Sequence, residues 1–146
     1  MSQAILELLA RSTLETIYMV FVAGGVGALF GLPLGIVLAT TGSRDLFRLP
    51  FLSRSIGAVV NGVRSTPFII LVVAIIPLTR LVTGTSIGTT AAIVPLTIAS
   101  IPFIARITEA AIREVDRGLI EAATAMGATP LQIIFKVLVP EALDRK

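Results

Sequence analysis

Apolar positions run almost unbroken through most of this chain, and the few polar ones mark where each run starts and stops. From Thr13 to about Thr41 no charge follows Glu15, and the next one is Arg44. That is enough helix to cross roughly 30 Å of hydrocarbon at about 1.5 Å per residue, with tilt. Ser12 and Glu15 have the S-x-x-E spacing of a capping box, which predicts a helix start there. A second apolar region, 56–82, is interrupted by Asn61, Gly62, Arg64 and Ser65-Thr66-Pro67. Proline lacks a donor and disfavours helix at the residue before it. The expectation is a short leading helix, a break near Thr66, and a main helix opened by Pro67 and capped by Thr66. The third region, 90–111, holds Pro95 and Pro102, which membrane helices tolerate when neighbours re-satisfy the freed carbonyls. It ends in Arg106-Ile-Thr-Glu109-Ala-Ala-Ile-Arg113, with Glu109 and Arg113 four apart in the favourable order.

The pattern then changes. EAATAMGATPLQIIFKVLVP, Glu121 to Pro140, is alanine-rich, broken by glycine and proline, and only partly apolar. Glu121 to Met126 are strong helix formers, and Gly127 suits the left-handed position that ends a helix. Thr129 as N-cap, Pro130 at the first helical position and Gln132 two residues later make T-x-x-Q, the start of a second helix. Leu131, Ile134, Phe135 and Leu138 follow at helical spacing, and Pro140 predicts the next boundary. Two readings fit this helix–turn–helix: a handle that docks into a groove on a soluble partner, or an interfacial pair lying on the membrane.

Composition supports the membrane class. The chain has 146 residues, 55% of them hydrophobic and 14% charged, against the roughly 25% charged of soluble domains. It holds no Cys and no His, which excludes disulfides, thiolate metal sites, histidine acid–base chemistry and cysteine nucleophiles. No metal site is expected. An intramembrane hydrolase is disfavoured, because Ser65 and Ser100 have no histidine to activate them. The net charge of +3 is read as topological rather than as a nucleic-acid footprint. The start, MSQAILELLARSTLE, lacks a signal peptide's basic region and carries Glu7 and Glu15. Arg44, Arg48 and Arg54 follow the first span, and Arg113, Arg117, Lys136, Arg145 and Lys146 follow the third, whereas the loop TGTSIGT carries no charge. The positive-inside rule then puts the N-terminus outside, and 121–140 in the cytoplasm.

Within the spans, Ala23, Gly27, Gly31, Gly35 and Ala39 recur every four residues, a small-residue ridge that lets helix backbones approach closely. It serves packing within one subunit or the seam of a homodimer. Asn61 and Arg64 are candidate pathway residues because polar groups at membrane depth are costly, although Arg64 can also snorkel to the interface. The Thr66-Pro67 break either lines a cavity or is a packing kink.

The segment 121–140 resembles the EAA loop of ABC-importer permeases: E-A-A, three residues, G, nine residues, then I-x-L-P. Glu121-Ala122-Ala123, Gly127 and Val137-x-Val139-Pro140 fall at that spacing, with valine for Ile and Leu. The text from Arg64 to Ala111 also resembles the methionine-import branch. The resemblance implies an all-α integral membrane fold. Three transmembrane helices and a cytoplasmic coupling-helix pair would form the first part of a five-helix type I permease. Residues 1–116 would be the transmembrane region, and 117–146 the coupling loop with the start of a further span. It implies an inner-membrane permease, not itself an enzyme, that imports D- or L-methionine. Its partners would be a second permease copy, a methionine-binding lipoprotein outside and an ATP-binding subunit that holds ATP and magnesium. No cofactor of its own and no nucleic acid are expected. In the loop, Glu121 would pair with a basic residue of the ATPase, Ala122 and Ala123 would allow close approach, and Gly127, Thr129, Pro130 and Pro140 would set the geometry. Family members continue into further helices beyond the stretch ending at Lys146. This predicts either a truncated permease or a non-transporting paralogue or fragment that binds the ATPase without forming a pathway.

Overall fold

A computed structural model describes residues 3–42 and 46–144, so Arg44, Arg145 and Lys146 of the charge pattern lie outside the described residues. Every regular element described is helical. Helix α1 runs Gln3–Thr40, α2 Pro50–Ser65, α3 Phe68–Ala74, α4 Ile76–Thr83 and α5 Thr89–Arg113. After them come α6 Arg117–Ala125, α7 Pro130–Ile133, a π-helical turn Ile134–Leu138, and α8 Val139–Asp144.

Helix α1 corrects the predicted start. It is continuous through Ser12, so no capping box forms there; the Ser12 carbonyl accepts from the Thr16 hydroxyl within the helix. Glu15 instead pairs with Arg11 and accepts from the Thr89 hydroxyl at 3.0 Å. Leucines, alanine and glutamate before Ser12 are good helix formers, and an S-x-x-E motif cannot stop a helix already propagating from upstream. The 38 residues extend about 57 Å, against roughly 30 Å of hydrocarbon.

The small-residue ridge faces α5 and packs within the chain. Ala23, Gly27, Gly31, Gly35 and Ala39 are all buried. A Cβ added at Gly31 would stand 2.8 Å from the Ile101 carbonyl oxygen, and one at Gly27 would overlap the Ser100 hydroxyl. Ser100 Oγ donates to the Ala23 carbonyl at 3.1 Å. Large apolar residues of α1 point the other way: Leu14, Phe21, Leu29 and Phe30 are exposed, as lipid-facing side chains must be when only one stripe packs on protein.

Contacts along the two long helices rise together: Glu15 with Thr89, Ala23 with Ser100, and Leu38 with Arg113. Helices α1 and α5 are therefore parallel, and the chain between them has to return from one end of the pair to the other. That return is broken twice. Helices α2 and α3 meet at 106° across Thr66-Pro67, and Ile75 separates α3 from α4. The expected single main helix after Pro67 is thus two short ones. Thr66 does not cap α3; it ends α2, its amide and hydroxyl both donating to the Gly62 carbonyl. Pro67, at φ −53° and ψ 134°, is the residue before the first turn of α3. Pro77 falls just inside α4, where its missing donor is harmless. Helix α2 also begins earlier than expected, with Pro50 at its first position, so Arg54 sits on a helix rather than in a loop.

Candidate functional site: the helical loop after α5

Helix α5 ends at Arg113, and Asp116 starts α6 by accepting from the Gly118 amide at 2.8 Å. Aspartate is a strong N-cap because its carboxylate satisfies an otherwise orphaned donor and favours the positive end of the helix dipole. The helix therefore starts four residues before Glu121. An aspartate directly before an amphipathic run is the sequence signal for this start.

The end of α6 is a Schellman turn. Gly127 has φ 81°, its amide donates to the Thr124 carbonyl, and the Ala128 amide donates back to the Ala123 carbonyl, both at 3.0 Å. Two residues on, Thr129 and Gln132 form a complete capping box, with Pro130 at the first position of α7. The Thr129 amide donates to Gln132 Oε1 at 2.9 Å. Stop and start signals two residues apart leave no room for drift, and they set the angle between α6 and α7.

Pro140 does not end the second helix. The chain widens into the π turn, where the Val139 amide donates to the Ile134 carbonyl, and runs on through Pro140 to Asp144. The π turn displaces the hydrogen-bond register just before the residue that cannot donate, so the helix absorbs the proline.

The apolar positions of the loop divide between its core and its surface. Ala123, Ile133, Ile134 and Leu138 pack inward with Ala39, Ile112 and Val115. Leu131 and Phe135 point outward, as does Met126 at 82% exposure. Ala123 is thus a core residue and cannot face a partner, whereas Glu121, Ala122, Thr129, Pro130 and Pro140 are exposed. Ile134 and Leu138, four apart, lie on one face with Ile133 beside them, and that face meets Ile112 and Val115. Between this loop and the ends of α1 and α5 lies a cavity of about 450 Å³, with Arg48, Arg113, Arg117 and Glu121 at its lining and Ile112 and Leu138 beneath.

The candidate residues of the broken span fall apart. Arg64 is exposed near the end of α2. Thr66 and Pro67 form the elbow described above. Asn61 belongs elsewhere: its Oδ1 accepts from Arg106 Nη2 at 2.7 Å. The same nitrogen donates to the Gly57 carbonyl at 3.3 Å, and Nη1 of Arg106 donates to Glu109. Arg113 Nε pairs with Glu109 Oε1 at 3.0 Å. Arg106 was missed as a site residue because its partner Asn61 lies 45 positions away, beyond any local pattern.

A parallel helix pair closed by a small-residue ridge, a broken return span and a double-capped helical loop define an all-helical integral membrane protein. Residues 31–144 match the family model "Binding-protein-dependent transport system inner membrane component", and the chain belongs to that family. It is 60% identical over 137 residues to the "Probable D-methionine transport system permease protein MetI" of Vibrio cholerae, covering 94% of this chain and 61% of that protein. It is 52% identical over 143 residues to the D-methionine transport system permease protein MetI of Escherichia coli K12, covering 98% of this chain and 66% of that one. Among solved structures, inward-facing conformations of the MetNI methionine ABC transporter match with a TM-score of 0.94 at 52% identity, over 98% of this chain and 66% of that chain. An amino acid ABC transporter crystallised with histidines matches with a TM-score of 0.66 at 24% identity, which speaks for the fold alone. The chain spans 61–66% of the length of these curated relatives. The fold is that of a type I ABC importer permease.

Proposed function

We propose that this chain is permease of an ATP-driven importer of methionine, D or L, in the inner membrane. Its N-terminus lies outside, and the loop from Arg117 to Asp144 is cytoplasmic. ATP and magnesium are held by a separate ATP-binding subunit, and the permease supplies no hydrolytic chemistry. A second permease copy and an external methionine-binding lipoprotein complete the assembly. The names of the relatives, which describe methionine transport, support the substrate; the positive-inside pattern supports the sidedness.

The observation that carries this reading is the rigid double-capped loop with its polar and apolar groups turned outward. Glu121 and Ala122 sit on the exposed face of α6, and Met126, Leu131 and Phe135 extend it across the Gly127 turn. A carboxylate beside a small residue, next to exposed apolar side chains, suits a cleft with a basic residue at its edge. Closure of that cleft by ATP would then move α6, and through it α5.

Co-purification with the ATP-binding subunit tests this. Glu121→Lys reverses the charge without disturbing the core, and Gly127→Pro destroys the Schellman turn by forbidding its positive φ. Both are expected to lower recovery of the ATP-binding subunit by about tenfold, the scale of one lost charge-assisted contact. Unchanged recovery with both variants overturns the coupling role.

A further inference from the structure

The buried carboxylate of Glu109 joins three separate elements. Its side chain is 10% exposed and carries two ion pairs, to Arg106 one turn before it and to Arg113 one turn after it. Arg106 reaches across to α2, where the Gly57 carbonyl and Asn61 Oδ1, one turn apart on the same face, both accept from Nη2. Beside this contact Val60 packs with Leu38 and Ala105, which holds α2 against both long helices. Arg113 reaches the other way, its Nη2 donating to the Leu38 carbonyl at 3.2 Å. Leu38 lies in the last turn of α1, where helix carbonyls lack intrahelical partners. The buried charge is Glu109, so losing either arginine leaves its carboxylate short of a partner.

We propose that Glu109 is the positioning residue that carries motion of the cytoplasmic loop to the broken span. It lies seven residues before Asp116, the cap of α6, on the helix that leads directly into the loop. Through Arg106 it holds the leading helix of the 106° elbow, and through Arg113 it holds the end of α1. A tilt imposed on α6 turns the last turns of α5, and the carboxylate converts that turn into a pull on Asn61 and hence on Thr66-Pro67. This rests on the coupling role proposed for the loop.

The test uses the permease assembled with its ATP-binding subunit in proteoliposomes, reading methionine taken up per ATP hydrolysed. Glu109→Gln keeps the shape and removes the charge; Asn61→Leu removes only the acceptor on α2. Both variants are expected to assemble and to lower uptake per ATP by about tenfold, the cost of one hydrogen bond to a charged group. Asn61→Asp, which keeps an acceptor for Arg106, should restore the ratio to within about threefold. If Glu109→Gln fails to assemble, the two variants at the exposed Asn61 still decide the matter. An unchanged ratio in Glu109→Gln or in Asn61→Leu, or a ratio in Asn61→Asp as low as in Asn61→Leu, overturns the proposal. Recovery of the ATP-binding subunit with Glu121→Lys reports the coupling role separately, so the two failures are distinguishable.

Discussion

A methyl group placed on Gly35 would stand 2.5 Å from the carbonyl oxygen of Ala105 and 2.5 Å from Cβ of Thr108. The two long helices are thus in backbone contact there. The obstacle is partly main chain, which cannot rotate aside. Gly35→Ala and Gly31→Ala are expected to destabilise the bundle by about 1–3 kcal/mol, the range of overpacking. Gly24 and Gly25 on the same helix meet nothing within 4 Å. Gly24→Ala should be neutral or stabilise by up to about 1 kcal/mol through helix propensity. Thermal unfolding in detergent separates the two sets. Equal effects at Gly24 and Gly35 would mean the close approach of α1 and α5 is not present.

Gly127 faces open space, so its side-chain hydrogen matters only through the backbone. With φ at 81°, Gly127→Ala has room but the wrong conformational preference. It should cost about 1–2 kcal/mol, the left-handed penalty. Protease cleavage rates across 124–130 would rise, while the α1–α5 pair should keep its resistance.

The capping box at Thr129, with Pro130 behind it, starts α7. Thr129→Ala removes the acceptor for the Gln132 amide. A loss of about 1 kcal/mol is expected, which corresponds to about fivefold faster amide hydrogen exchange over Leu131 to Ile133. Exchange that does not change would place the stability of this helix entirely in the packing of Ile133 and Ile134.

The elbow at Thr66-Pro67 tests whether local chemistry or packing bends the return span. Pro67→Ala restores a donor and lifts the restriction on Thr66. Because the chain has no cysteine, spin labels at Phe51→Cys and Val73→Cys report the bend selectively; both positions are exposed. A longer distance is expected in Pro67→Ala as α2 and α3 straighten. If the distance holds, the contacts of Arg106 with Gly57 and Asn61 are enough to keep the bend.

Much of the loop was legible residue by residue, because capping is local. Gly127 lies one residue past the cap of α6, and Thr129, Pro130 and Gln132 lie within one turn of each other, so their hydrogen bonds depend on nothing distant. The same local rules misled at Ser12, where a capping motif sits inside a helix nucleated upstream, and at Pro140, where a π turn absorbs the proline. Of the four apolar residues at helical spacing, Ile134 and Leu138 are buried while Leu131 and Phe135 are exposed, a division that periodicity does not give.

By itself the sequence determined the apolar helices, the breaks at Thr66-Pro67 and Gly127, and the spacing that the family model recognises, because each depends on neighbours within a few residues. Only the tertiary structure decided that the small-residue ridge faces α5, that α1 and α5 run parallel, that Ala123 is core, and that Asn61 serves Arg106. A periodic stripe says that a surface packs closely but is silent about its partner. A polar residue in an apolar region says that it needs a partner, and which one lies within hydrogen-bond reach is set by how distant helices meet.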